Sequence, residues 1–218
     1  MEARAPEYMR QVVEQLAFLA REDKRVDKRS GVSQRLPISV LENVVSNAER
    51  RALRTREQVA VPRILDLYSA LPAITGKLEL EYEGELKGGD TVARELIRSA
   101  VGKIYDQYFE NANMSQVIQW FDLGGSLKLD DNVDSATMVK QLNGIQGLME
   151  KTKALGLGAN EPDAVRAAAA EFVLEGLYAH RRISRNEERG FAAEEKRRDT
   201  REETSGRGER PNFRRQYN

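Results

Sequence analysis

Through most of this 218-residue chain the apolar residues recur every three to four positions, a spacing that restricts it to amphipathic helices burying one face. Tyr8, Val12, Leu16 and Leu19 form one such stripe and predict a helix over 6–23, with Pro6 at its start and Arg21-Glu22-Asp23-Lys24 at its end. A polar, basic loop around Gly31 follows. The second helix begins near Ser33, a residue type suited to N-capping, and tolerates Pro37 in its first turn, where an N–H has no intrahelical partner anyway. Leu36, Val40, Leu41, Val44, Val45, Ala48 and Leu53 are its expected buried side. A shorter helix over 61–71 is entered at Pro62 and ended by Leu71-Pro72, with Ile64, Leu65, Leu67 and Tyr68 inward.

The period then changes. Leu78, Leu80 and Tyr82 alternate with Lys77, Glu79, Glu81 and Glu83, which predicts a half-exposed strand over 76–85. Helical spacing returns over 90–111, carried by Val92, Leu96, Ile97, Val101, Ile104, Tyr105 and Tyr108, and again over 114–122. Leu127 and Leu129 suggest a brief strand, and helices over 135–155 and 163–183 are separated by a glycine-rich turn. From Ser184 onward charged and small polar residues dominate, the composition of a disordered tail. The expected fold class is mainly α: a helical bundle over 1–72, a second helical region over 73–183 with one or two short strands, and a charged tail over 184–218. No repeat with a period of 20 to 50 residues is present, which argues against a solenoid.

Charge and cysteine content remove several function classes. Lys and Arg number 35 and so do Asp and Glu, so no net field draws the chain to nucleic acid or an anionic membrane. There is no cysteine, which excludes disulfides, thiolate zinc sites and thiol nucleophiles, and a reducing cytoplasm is the expected compartment. No signal-peptide-like apolar run is seen, and the least charged stretch still carries Arg166, Glu171 and Glu175, each costing roughly 2.5 kcal/mol or more at a bilayer centre.

The segment Arg29-Ser30-Gly31-Val32-Ser33-Gln34-Arg35, between two amphipathic helices, resembles the sensor-2 region of magnesium chelatase ATPase subunits and MoxR-like AAA+ ATPases. The match is best from Val26 through Leu53, including Ile38-Ser39-Val40-Leu41-Glu42-Asn43; the region up to Ile183 resembles the C-terminal extension of a chelatase-like subgroup less specifically. The resemblance implies that the bundle over 1–72 is an AAA+ lid and that Arg35 contacts the γ-phosphate of a nucleotide. It gives Arg29 a weaker nucleotide or neighbouring-subunit role and makes Gly31 and Ser33 the supporting motif residues. It further implies ATP and Mg2+ in the assembled ATPase, a ring oligomer, and a partner with a von Willebrand A-type domain. A guanidinium near a helix N-terminus suits phosphate, because charge-assisted bonding and the backbone dipole act together.

The nucleotide-gripping half of such an enzyme is absent. No G-x-x-x-x-G-K-[ST] occurs, Gly102-Lys103 is followed by Ile104 within a predicted helix, and Asp130-Asp131 follows no apolar strand. No catalytic residue is therefore assigned and no ATPase activity is expected of the chain alone. A core on another polypeptide, or on a segment missing from this one, is the expected partner. A free-standing helical adaptor is the alternative, with Trp120-Phe121 as a candidate anchor, although core positions are the favoured reading of that pair.

Other constellations are weaker. Asp130, Asn132 and Asp134 imitate the opening of a calcium loop, but Ser135 and Gln141 stand where glycine and glutamate are needed, so helix capping by Asp134 or Ser135 is favoured and no metal site is assigned. His180 is the only histidine, which rules out a histidine metal cluster, and a role at a helix C-terminus against the last carbonyls is expected. In the tail, Arg207, Arg210, Phe213, Arg214, Arg215 and Tyr217 read as solvated rather than as a nucleic-acid contact.

Overall fold

A computed structural model describes residues 1–29, 32–158, 160–186 and 190–194. A two-residue strand, β1 (Glu2–Ala3), precedes α1 (Glu7–Glu22), which starts directly after Pro6 and buries Tyr8, Met9, Val12, Val13, Leu16, Ala17 and Ala20. α2 (Arg35–Thr55) follows the basic loop, and β2 (Val59–Ala60) returns to pair in parallel with β1 through Glu2↔Val59 and Ala3↔Ala60. Two residues show no period, so nothing in the sequence announces this pairing.

The helix expected over 61–71 is two short helices, α3 (Ile64–Tyr68) and α4 (Leu71–Thr75). Pro72 opens the second instead of ending the first, since proline is tolerated in a first turn. The strand expected over 76–85 is not formed. Leu80 makes an isolated antiparallel bridge to Val26, the Asp27 and Glu81 amides donate across to Glu79 and Arg25 carbonyls, and α5 (Tyr82–Lys87) then begins. The alternation of leucine with glutamate describes a half-exposed segment, but with only a loop beside it there is no ladder to extend.

α6 (Gly89–Phe109) and α7 (Ser115–Asp122) match their expected spans within two residues. The helix expected over 135–155 is interrupted: α8 (Ser135–Asn143) and α9 (Leu148–Lys151) flank a turn, and a 3-10 turn over Thr152–Leu155 follows. Gly147 makes the break possible, because it adopts φ 80°, a conformation other residues reach only with strain. α10 (Asp163–Ala179) is shorter than expected; the chain turns at Arg181 and enters a hairpin of β3 (Ile183–Asn186) and β4 (Gly190–Ala193). The start of the segment expected to be a disordered tail is thus an ordered hairpin. Buried Phe191 anchors it, exchanging both backbone hydrogen bonds with Leu127, at 2.8 and 3.0 Å. One phenylalanine among charges is invisible to a composition argument. The remainder of the tail lies outside the described residues.

α10 is the axis of the fold. It is apolar on nearly every side, as a helix enclosed by neighbours must be, and α6, α8, α9, α3 and β3 pack around it while α1 packs along α6. Buried side chains from α1 to β4 form one continuous cluster, so the boundary expected near residue 72 falls within a shared core. Tyr8 stacks on Phe172 at 4.5 Å between ring centroids, joining the first helix to the last. Close packing of α6 on α10 depends on Gly176, where a Cβ would lie 1.9 Å from Cδ2 of Tyr105.

Candidate functional site

Arg35 is the first residue of α2 and is exposed. The hydroxyl of Ser33 accepts a hydrogen bond from the Arg35 N–H at 3.2 Å, and the Ser33 carbonyl accepts from the Leu36 N–H at 2.9 Å, but the N-cap position is Gln34, one residue beyond the serine expected there, and it makes no side-chain capping bond. Buried Val26, Val32 and Leu36 fix the loop and first turn to the core. Among the described residues, the Arg35 guanidinium has no hydrogen-bond or ion-pair partner. Arg29 is also exposed; its N–H donates to Asp27 Oδ1 at 2.5 Å in a local turn. Gly31 lies outside the described residues.

The outer face of α2 is more apolar than expected. Ile38 is 60% exposed and Leu53 68%, where Leu53 was assigned to the buried side. Ile38 stands one turn beyond Arg35, and Leu53 about five turns beyond it, so all three share one face. Arg35 therefore opens a solvent-facing stripe with a large apolar residue near each end.

A second constellation, absent from the sequence reading, is a chain of buried charges linking α2, α3, α10 and the hairpin. Arg51 donates to Asp66 Oδ2 at 2.9 Å and to the Val61 carbonyl at 2.8 Å. Asp66 Oδ2 also accepts from the Arg63 N–H at 2.8 Å. Arg63 Nε donates to Glu171 Oε2 at 2.5 Å, and the Leu65 N–H to Glu171 Oε1 at 2.8 Å. One turn further along α10, Glu175 pairs with Arg185 of β3. Arg63 and Glu171 are each 1% exposed.

The protonation equilibria follow from burial and pairing. Burial raises the Asp66 carboxyl above its ordinary value, opposed by the hydrogen bonds and charge of Arg51. Burial lowers Arg63, but the charge and hydrogen bond of Glu171 outweigh it and hold the guanidinium above its usual range. Glu175 is pushed up to about 7, chiefly by burial; Arg185 works against the shift and the charge of Glu171 adds to it. A carboxyl poised near neutrality is a frequent mark of general acid–base chemistry. Here it is 1% exposed and covered by Arg185, so the geometry makes it a structural clamp. One sequence signal points to this network: Glu171 and Glu175, four residues apart, lie inside an otherwise apolar helix.

The remaining candidates resolve as structural groups. Asp134 caps α8, accepting from the Thr137 N–H and hydroxyl at 2.9 Å each, and Asp130 accepts from the Asn132 N–H at 2.8 Å. Among the described residues no three His, Asp or Glu side chains converge as metal ligands, and no helix is long and apolar enough to cross a membrane. His180 meets Asp106 Oδ1 at 2.8 Å, where helix carbonyls were the expected partners. Phe121 is fully buried, with Trp120 packed edge-on against it at 5.0 Å, so this pair belongs to the core. The tail residues Arg207, Arg210, Phe213, Arg214, Arg215 and Tyr217 lie outside the described residues. No protein-family model, curated protein or solved structure matches the chain.

Proposed function

We propose that this chain acts as the lid and helical extension of an AAA+ ATPase of the magnesium chelatase and MoxR-like group, reading through Arg35 the nucleotide gripped by a core supplied elsewhere. One observation carries the reading: the Arg35 guanidinium, at the entrance of a 21-residue helix, is exposed and unpaired among the described residues, beside a face that also exposes Ile38 and Leu53. Arg51 of the same helix, by contrast, is buried against Asp66. A core docked on this face would cover the two apolar side chains and bring phosphate to the guanidinium. The bond exists before hydrolysis and is lost with the γ-phosphate, which couples nucleotide state to lid position. ATP and Mg2+, a ring assembly and a von Willebrand A-type partner belong to this reading through the family resemblance.

The test mixes the chain with a Walker-motif core of this group lacking its own lid and measures ATP turnover. A charge-assisted contact of about 1.5–3 kcal/mol corresponds to roughly a ten- to 150-fold loss on Arg35→Ala. The reading fails if turnover does not rise on mixing, or rises equally with the variant. Because Arg35 is exposed, the substitution leaves the fold intact, and circular dichroism checks this.

A second reading, a helical adaptor with no nucleotide role, draws on another observation. Tyr82 is 73% exposed and Leu86 stands four residues on, also exposed, so α5 carries its own apolar face. Under that reading, replacing both residues with serine abolishes partner capture while Arg35→Ala has no effect.

A further inference from the structure

A cleft of about 630 Å3 opens between α3, α6, the end of α10 and the β3–β4 hairpin. Among the described residues, four cationic side chains line it, Arg94, Arg98, Lys128 and Arg185, against one carboxylate, Glu95. That carboxylate is already committed: Lys87 bonds it at 2.7 Å and Arg25 pairs with it as well, and together they hold Glu95 below the usual carboxylate range. Arg185 is matched by Glu175. Among the described residues, Arg94, Arg98 and Lys128 have no acidic partner, although the chain as a whole carries no net charge. Among the described residues, positive charge without an acidic partner is therefore gathered in a concavity of the size that takes small molecules.

The aromatic side chains of the cleft define what it recognises. The Arg98 guanidinium lies 4.3 Å from the Tyr178 ring centroid and donates to the Tyr178 carbonyl at 3.0 Å. Arg94 covers Tyr68 at 5.9 Å, and Arg185 stands 5.3 Å from both Tyr68 and Phe191. The rings thus hold guanidinium groups, through cation–π attraction, and are not platforms for a nucleobase. Arg94 and Arg98 are one turn apart on α6, so two guanidinium-bearing side chains leave the same face of the helix, a spacing suited to adjacent phosphate groups.

We propose that this cleft is a binding site for a small anion carrying two or more linked phosphates, recognised through those phosphates. Arg35 is not among its lining residues, so the site acts independently of the proposed nucleotide sensing and works in the chain alone.

The experiment is calorimetric titration of the full chain with sodium pyrophosphate and with tripolyphosphate at about 0.15 M ionic strength. One saturable site is expected, with affinity falling as salt rises. The double variant Arg94→Gln/Lys128→Gln, at two exposed positions with no side-chain hydrogen bond among the described residues, is expected to bind at least about tenfold more weakly with an unchanged melting temperature. Arg35→Gln is expected to bind as the parent does, which separates this site from the lid reading. Absence of saturable binding to either probe, equal affinity in the double variant, or binding only to an acidic peptide such as polyglutamate overturns the proposal.

Discussion

Glu171→Ala is the substitution whose effect the structure fixes most tightly. It removes the partner of Arg63 Nε at 2.5 Å and the acceptor of the Leu65 N–H at 2.8 Å, both at a position 1% exposed. Arg63 keeps its charge, because alanine offers no proton acceptor and the guanidinium cannot discharge at neutral pH. Its terminal nitrogens are buried and meet no acceptor among the described residues, so they do not compensate. Breaking one side of a buried ion pair costs about 3–5 kcal/mol. For a chain of this length that lowers the melting temperature by roughly 6–20 °C. Urea unfolding at pH 7, followed by circular dichroism, measures the loss directly. Glu171→Gln, which keeps a neutral acceptor, is expected to lose less, and Arg63→Met/Glu171→Leu to recover most of the stability, since apolar replacement of a whole buried pair is often neutral or better. If Glu171→Ala unfolds within about 1 kcal/mol of the parent, or the double variant is no more stable than the single, the pair does not join α3 to α10 as described.

Two further outcomes rest on neighbouring positions. Glu175, at about 7 in the fold against an ordinary 4.5, holds a proton that the unfolded chain has already lost; its contribution to stability is present below about pH 4.5 and disappears as pH rises to about 7, by about 3 kcal/mol. Urea midpoints at pH 5 and pH 8 for the parent and for Glu175→Gln test this, and equal slopes in the two would refute it. Gly176→Ala gains helix propensity of about 1 kcal/mol but drives a methyl to 1.9 Å from Tyr105, whose ring is held by Phe109 at 4.8 Å. A net loss of about 1–3 kcal/mol is expected in a thermal melt, and a variant melting above the parent contradicts the packing of α6 on α10.

The helices were legible because a 3.6-residue period is local. α1 starts after Pro6 and ends before Asp23, and the Asp134 cap lies where residue type alone puts it. Where one residue decides an element, the pattern misled: glycine at 147 splits a predicted helix, and Phe191 turns the start of a polar tail into a hairpin. The candidate site divides in the same way. A basic loop before an amphipathic helix singles out Arg35 as a candidate, but only the fold shows its guanidinium without a partner among the described residues, on a face shared with Ile38 and Leu53.

The sequence by itself determined that this is a mainly helical protein, because helical periodicity is written within a few turns of chain. Tertiary structure decided which charges are buried and which remain open. Arg63 and Glu171 are 108 residues apart, and nothing short of packing α3 against α10 selects that pairing from 35 cations and 35 carboxylates. Burial then sets the energetic consequence of each charge, costly where a partner is lost in the core and small where the side chain stays in solvent.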